Sequence, residues 1–426
     1  MTIKILRPKL SGSDERLILL SVLSLAFVIR VAWILLVPST PLADFAEYDR
    51  LGWGLATQRV YATASGEPTA YRPPGYPTLL ALLYSMAGHQ PLIARLFNAG
   101  LGTLTCLLVF RLTVRIGLRA LALPVTVLYA LYPTAIYYTN LLATEVLFTF
   151  LLLAIILIWL DLTEYRPPSR RTSFYRIILA FCLGSLAAIA ALVRPVILPV
   201  LGLFVAFQVP RLRFIQQIWY FLLLSVFALL VTLLPWTYRN YQLSGRLVLI
   251  STNGGVNFFI GNNPSATGEY FIPADNPLEG LTEWEMDQVG WKAGIEFIRK
   301  HPLLFLRNYL IKAVNLFSLE WDGFFWNFQT LETFAQQMHS LQMVKESTVL
   351  VPLFLLPLGT SAGLMVLGMW GLKRAYALPP TIIAGNPDWC LDSSSRHFLC
   401  QFTVPFLSCT PADYLSDPFG SGLVSP

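Results

Sequence analysis

Charge is scarce in this chain. Only 13% of its 426 residues are Asp, Glu, Lys or Arg, against 55% hydrophobic, and the mean hydropathy is +0.59. Soluble domains carry about 25% charged residues, so a large water-soluble enzyme is excluded: its core would lack a charged shell. The net charge of +6 is no nucleic-acid footprint, because the basic residues fall in short clusters between apolar runs rather than along one stripe. Cysteine is equally uninformative. Cys106 and Cys182 lie within apolar runs, as small core residues do, and Cys390, Cys400 and Cys409 lie near the C-terminal end. No spacing matches a zinc site. No small-residue cleavage site follows the first apolar run, so a retained helix is expected there rather than a signal peptide.

Long apolar runs are what the chain has instead. A bilayer core takes about 20 mostly apolar residues per helix. Residues 17–37, 93–113, 121–138, 141–160, 177–193, 195–209, 218–236 and 349–370 qualify, giving about eight expected spans; 195–209 is short and expected to be tilted or partly buried. Residues 76–87 are too short to span and read as a re-entrant or interfacial piece. The fold class expected is therefore an all-α polytopic membrane protein.

Basic residues orient it. Lys4, Arg7, Lys9 and Arg16 precede the first span; Arg115 and Arg119 follow the second. Arg166, Arg170, Arg171 and Arg176 lie between the fourth and fifth, Arg211 and Arg213 after the sixth, Lys373 and Arg374 after the last. All fall on one face, the cytoplasmic one. Two long segments, 38–76 and 237–347, then lie outside. Residues 301–319 are apolar but interrupted by Arg307 and Lys312, which suits a helix at the membrane interface.

The first outer segment carries the chemistry. Asp44, Glu47 and Tyr48 stand at i, i+3 and i+4 and share a face on a helix. Phe45, Leu51, Trp53 and Leu55 make that helix amphipathic. "YRPPGYP" follows; Pro73, Pro74 and Pro77 exclude a regular helix and Gly75 supplies a turn, so Arg72 sits on a stiff, kinked backbone. Spacing alone leaves two readings open, solvated surface charge or a catalytic pair.

The order of motifs is more specific. After the first span come "D-x-x-E-Y", "R-P-P-G-Y-P", "YPTAIYYTNLLATEVLF", "ALVRP", "PWTYRNY" and "STNGGVNFFIGNNPSATGEY". Over residues 17–322 this resembles the family 39-like, or dolichyl-phosphate-mannose-protein mannosyltransferase-like, bacterial glycosyltransferases of the GT-C fold, relatives of the aminoarabinose lipid A transferases. The resemblance implies an inverting glycosyltransferase in the cytoplasmic membrane, its active site facing outward. A polyprenyl-phosphate sugar would be the donor, and a lipid, glycan or protein the acceptor. The family's essential Asp of the first outer loop matches Asp44.

Physical chemistry supports that carry-over. An attacking hydroxyl must lose a proton, a task for Asp44 as base with Glu47 and Tyr48 beside it. A leaving phosphate needs positive charge, for which Arg72, Arg194 and Arg239 are candidates; interfacial anchoring is the alternative for each. Glu145, near the outer end of the fourth span, is costly without a partner. It would orient Asp44's surroundings, pair with an arginine or help hold a metal, or simply bond Tyr137 or Thr144. Asn253, Asn262 and Asn263, in a turn-rich stretch, are assigned to sugar hydroxyls or the donor site. No cofactor is expected, although Asp44, Glu47 and Glu145 have the oxygen chemistry for a divalent ion.

The tail departs from the family pattern. Residues 1–372 form the expected membrane domain, whereas 373–426 turn polar and rich in Ser and Pro, with 379–426 reading as disordered or loosely folded. A genuine cytoplasmic tail and an altered reading frame both fit. Two other functions compete: a lipid-linked sugar transporter, which calls for midplane charges and inverted repeats where only Arg30 is seen in an early span, and a non-catalytic membrane relative.

Overall fold

The apolar runs form helices whose ends can be located by the polar contacts made there. The computed structural model describes residues 12–37, 39–163, 170–212, 216–268, 270, 272–273, 275–316 and 326–327. All lie within Met1–Ser361, the first of two compact units; the second is Ala362–Pro426. The expected span 349–370 and the tail therefore lie outside the described residues. Within them the chain forms thirteen α-helices, one 3-10 turn and an isolated antiparallel bridge between Ala62 and Pro68, with no strand.

Five helices are long and apolar enough to cross a bilayer: α1 (Gly12–Leu36), α4 (Pro91–Arg115), α7 (Thr144–Thr163), and the apolar parts of α8 (Arg170–Val193) and α10 (Gln216–Ser244). Their outward faces remain apolar, with Leu20, Val28 and Leu35 exposed on α1 and Leu223, Phe227 and Leu234 on α10. Surfaces of that kind are suited to lipid. The described residues are those of a helical, multi-pass membrane protein.

Two expected spans differ from straight helices. Residues 121–138 break into α5 (Arg119–Ala130) and α6 (Pro133–Tyr137), the latter continued by the 3-10 turn Tyr138–Asn140, with a 57° bend. Pro133 is the cause: it has no N–H to continue α5, and it sets Tyr132 extended at ψ 116° before restarting the helix as its first residue. The bent pair nevertheless runs end to end. Arg119 at its start pairs with Glu15 near the start of α1 at 2.5 Å. Asn140 at its close donates to the carbonyl of Val37, at the other end of α1, at 2.8 Å. Residues 195–209 form α9 (Ile197–Leu212), whose apolar stretch is only Ile197–Ala206. It too must return the chain, because α8 and α10 are parallel: Arg176 near the start of α8 lies over the ring of Phe221 near the start of α10, at 5.6 Å.

Small residues let α8 and α10 meet. Ala180, Gly184 and Ala188 recur every fourth residue, the two alanines fully buried, and a Cβ on Gly184 would overlap the carbonyl of Ser225. Without a water-driven force inside lipid, such close backbone approach is what holds helices together. Trp159, Leu183 and Phe221 fill the space around it. Arg30, the one charge within the apolar stretch of α1, is fully buried. Its Nη1 donates to the carbonyls of Ala26 and Ala130, at 3.0 and 3.1 Å. Ala130 ends α5, so the arginine neutralises the negative end of a helix broken at depth.

Shorter helices cover one end of the bundle. α2 (Ala43–Gln58) forms as expected, and α3 (Gly75–Ala87) is too short to span. "RPPGYP" is less irregular than its prolines suggest: the kink ends at Pro74, and Pro77 occupies the first turn of α3, where its missing N–H costs nothing. Beyond α10 come α11 (Asn253–Gly261), α12 (Glu283–Lys300) and α13 (Pro302–Leu316). α11 and α12 cross where Gly255 meets Gly290, too closely for a side chain on either.

Candidate functional site

The site forms where α1 gives way to α2. Ala43 turns the chain at φ +47°, in the left-handed region, and α2 begins behind Leu42, which offers no side-chain cap. Asp44 sits in the first turn, where the helix dipole favours negative charge. Glu47 and Tyr48 follow on the same face. Across from them, the segment after α2 folds back through the Ala62–Pro68 bridge. The Tyr61 hydroxyl donates to the carbonyls of Arg72 and Pro73, at 2.9 and 3.3 Å, fixing the backbone that carries Arg72.

Arg72 joins both carboxylates. Its Nη2 donates to Asp44 Oδ1 at 2.5 Å and its Nε to Glu47 Oε2 at 2.7 Å. The guanidinium lies over the rings of Tyr71 and Tyr48, at 5.2 and 6.0 Å. Burial works against its charge, but the hydrogen bond and charge of Glu47, with the charge of Asp44, outweigh it and hold the pKa above the usual value.

A second pair lies beside the first. Arg194, just past α8, is ion-paired with Glu145 in the first turn of α7, and its Nε donates to Thr144 Oγ1 at 2.7 Å. Glu145 thus has the partner its position demanded, and Thr144 is part of the arrangement rather than an alternative to it. Tyr48 stands between the pairs: its phenol is pushed up to about 12, chiefly by burial, and it feels Arg72, Asp44, Glu145 and Arg194 together.

Arg239 is engaged elsewhere. Its guanidinium donates to the carbonyls of Thr69 and Tyr61, at 2.7 and 2.8 Å, and stacks 4.6 Å from the centre of the Trp236 ring. It fastens the first loop to α10, and Tyr61 lies between it and the Arg72 carbonyl. Asn262 and Asn263 likewise turn inward. Their amides donate to the carbonyls of Phe258, Phe259 and Ile260, at 2.8 to 3.0 Å, and so close the end of α11. Asn253 accepts from Ser251 Oγ at 2.8 Å at the start of that helix. Asn262 and Asn263 are buried in the loop, and Asn253 is part-buried at its start.

Sequence reasoning missed two clusters. Glu283 accepts from Thr69 Oγ1 at 2.5 Å, from the Ala70 N–H at 2.8 Å and from Thr252 Oγ1 at 2.7 Å. It ties together segments that lie far apart in the chain. The signal was Thr282 followed three residues later by Glu285, a capping box that sets the start of α12 and presents Glu283 as a free carboxylate beside it. On the other flank of α2, Asp49 accepts from the Tyr84 hydroxyl at 2.5 Å and pairs with His89 Nε2 at 2.9 Å, with Trp53 stacked on the imidazole at 5.0 Å. This cluster holds α2 on α3. Nearer Asp44, Trp326 meets the ring of Phe45 at 5.3 Å.

Every residue of this site stands at the Val37 end of the bundle, whereas Arg115 (paired with Asp161 at 3.2 Å), Arg119 and Arg176 stand at the other. Among the described residues no three His, Cys, Asp or Glu side chains gather as metal ligands; Asp44 and Glu47 converge on a guanidinium. No family model, curated protein or solved structure matches this chain. What fold and site define together is a class: a polytopic helical membrane protein with paired arginine–carboxylate clusters at one end of its bundle.

Proposed function

We propose that the protein is an inverting glycosyltransferase that uses a polyprenyl-phosphate sugar. The observation that carries this reading is the meeting of Asp44 and Glu47 on Arg72, directly after the first span. A prenyl tail stays in lipid and its sugar phosphate emerges at the bundle's end, which is where cations and carboxylates are concentrated here. The basic residues at the opposite end support an outward-facing site by the positive-inside rule.

The chemistry is one displacement. The acceptor oxygen bonds to the anomeric carbon as the bond from that carbon to the phosphate oxygen breaks. Asp44 takes the acceptor's proton, and polyprenyl phosphate leaves with the bonding pair, its charge met by Arg72 and Arg194. Glu47 holds Arg72 in position.

A labelled polyprenyl-phosphate sugar in vesicles tests the reading, with and without acceptor extract. Acceptor-dependent transfer is expected, slowed by about 10²–10⁴-fold in Asp44→Asn and less in Glu47→Gln. Movement of intact donor across the membrane without sugar release would make the protein a transporter, and near-normal turnover in Asp44→Asn would remove Asp44 as the base.

A further inference from the structure

Both arginines assigned to the donor phosphate are already occupied. Arg72 has five N–H groups, and the edge best shaped for a bidentate oxyanion, Nε with Nη2, is divided between Glu47 and Asp44. A phosphate approaching either edge that includes Nη2 would meet the Asp44 carboxylate at close range. Like charges do not share a guanidinium nitrogen without a penalty, so one carboxylate has to leave.

We infer that Arg72 is an anion-exchange switch: Asp44 is its exchangeable partner, displaced by a phosphate monoester or diester, and Glu47 is the permanent one that keeps the guanidinium aimed. The inference rests on the phosphate-site reading above and adds to it how the base is controlled.

Three features separate the two carboxylates. Exposure is the first: the side chain of Asp44 is 53% exposed, that of Glu47 29% and that of Arg72 19%. Parting an exposed ion pair costs little, because water takes over the solvation of the freed group. Parting the half-buried Glu47 would strand charge. The second is an alternative station. Asp44 stands in the first turn of α2, whose N-cap residue, Leu42, supplies no side-chain cap. The released carboxylate can turn to the helix's own N–H groups, where its charge is favoured. Glu47 lies a turn further on. The third is that Arg72 cannot follow Asp44. Its carbonyl is held by Tyr61, Pro73 and Pro74 come next, and the rings of Tyr71 and Tyr48 face its guanidinium.

Exchange has a chemical consequence. In the empty site Asp44 Oδ1 is taken up by Arg72 Nη2. Once phosphate takes its place, that oxygen is free to accept the acceptor's hydroxyl beside the sugar it serves. The base is thereby released by the donor and held by Arg72 in the empty site, with no covalent step.

Glu47 is a positioning residue on this account, and the two variants should shift anion binding in opposite directions. The measurement is binding of farnesyl phosphate and, separately, inorganic phosphate to the full-length protein in detergent, without acceptor. Asp44→Asn should bind farnesyl phosphate about tenfold more tightly than wild type, the size of one competing charge-assisted hydrogen bond removed. Asp44→Ala should do the same should the Asn variant unfold. Glu47→Gln should bind more weakly, and Arg72→Ala should bind about ten- to a hundredfold more weakly. A matching gain with inorganic phosphate would mean that the headgroup alone works the switch; a gain confined to farnesyl phosphate would mean that the lipid must seat it, and either outcome supports exchange. Arg72-dependent binding that Asp44→Asn leaves unchanged or weakens overturns the exchange while sparing the phosphate site. A gain in Glu47→Gln equal to that in Asp44→Asn overturns the division of roles. Absence of Arg72-dependent binding in every form overturns both readings.

Discussion

Arg72 and Arg239 look alike in sequence, each beside a Tyr and in an expected outer segment, and the structure gives them different work. Arg72 meets carboxylates in the site, whereas Arg239 spends its N–H groups on the carbonyls of Thr69 and Tyr61. Arg72→Ala should weaken donor use by about ten- to a hundredfold, the worth of a lost charge-assisted hydrogen bond, and acceptor use much less. Arg239→Ala should instead lower the unfolding temperature and depress donor and acceptor use alike, since it frees the whole loop. Parallel steady-state kinetics and thermal unfolding in detergent distinguish them; a donor-specific defect in Arg239→Ala would return it to the phosphate site. Tyr48 allows a test by pH. Unfolded, its phenol ionises at about pH 10, whereas burial raises it to about 12 in the fold. Its contribution to stability is therefore complete below about pH 10 and is lost as pH rises through about 12. Tyr48→Phe removes that loss, so its alkaline unfolding midpoint should lie above that of wild type; an unchanged midpoint would mean the phenol is solvated.

Helix contacts decide how the elements are held. Gly184 in α8 has the Ser225 carbonyl of α10 where a side chain would go, while Gly202 in α9 faces open space. Gly184→Ala should cost about 1–3 kcal/mol, as overpacking does, and Gly202→Ala should be neutral or better, because alanine favours helix. Chemical unfolding of both variants checks this, and equal effects would mean that the α8–α10 approach is not the constraint. At this scale sequence reading did best where one property repeats. α1, α4 and α7 were legible because about 20 apolar residues can do little else in a bilayer, and α2 because Asp44, Glu47 and Tyr48 match a helical spacing. It did worst where a single residue overrides the average. Mean hydropathy treats 121–138 as one span, and only the lost N–H of Pro133 reveals the break. Arg30 was visible only as a charge in an early span, and nothing near it in sequence points to the carbonyl of Ala130 that it meets at that break.

Long-range pairing accounts for the rest of what the sequence hid. Nothing in local spacing joins Glu283 to Thr69, or Arg194 to Glu145; those contacts exist because bundle ends gather loops from distant parts of the chain. They also constrain topology in a way that composition does not. The first long segment is bonded to the second through Arg239 to Thr69, Glu283 to Thr69 and Ala70, and the Thr252 N–H to the Ala70 carbonyl at 3.1 Å. Both must therefore stand on one side of the membrane, and the chain must cross an even number of times between them. α4, α7, α8 and α10 supply four crossings. The bent α5–α6 pair adds a fifth, so α9, short as its apolar stretch is, has to add a sixth. At about 1.5 Å per residue its full helix is near the thickness needed, with a thinned or tilted passage making up the difference. Single cysteines at Ser65 and Ser265, both exposed, should accordingly react together with an impermeant thiol reagent in intact spheroplasts, in a background with the native cysteines removed. Reaction of both from outside places the site outward, as the basic residues at the opposite end require. Protection of both reverses the orientation but keeps the even count. Reaction of one alone would break the pairing of the two segments, and with it the assignment of α9 as a crossing.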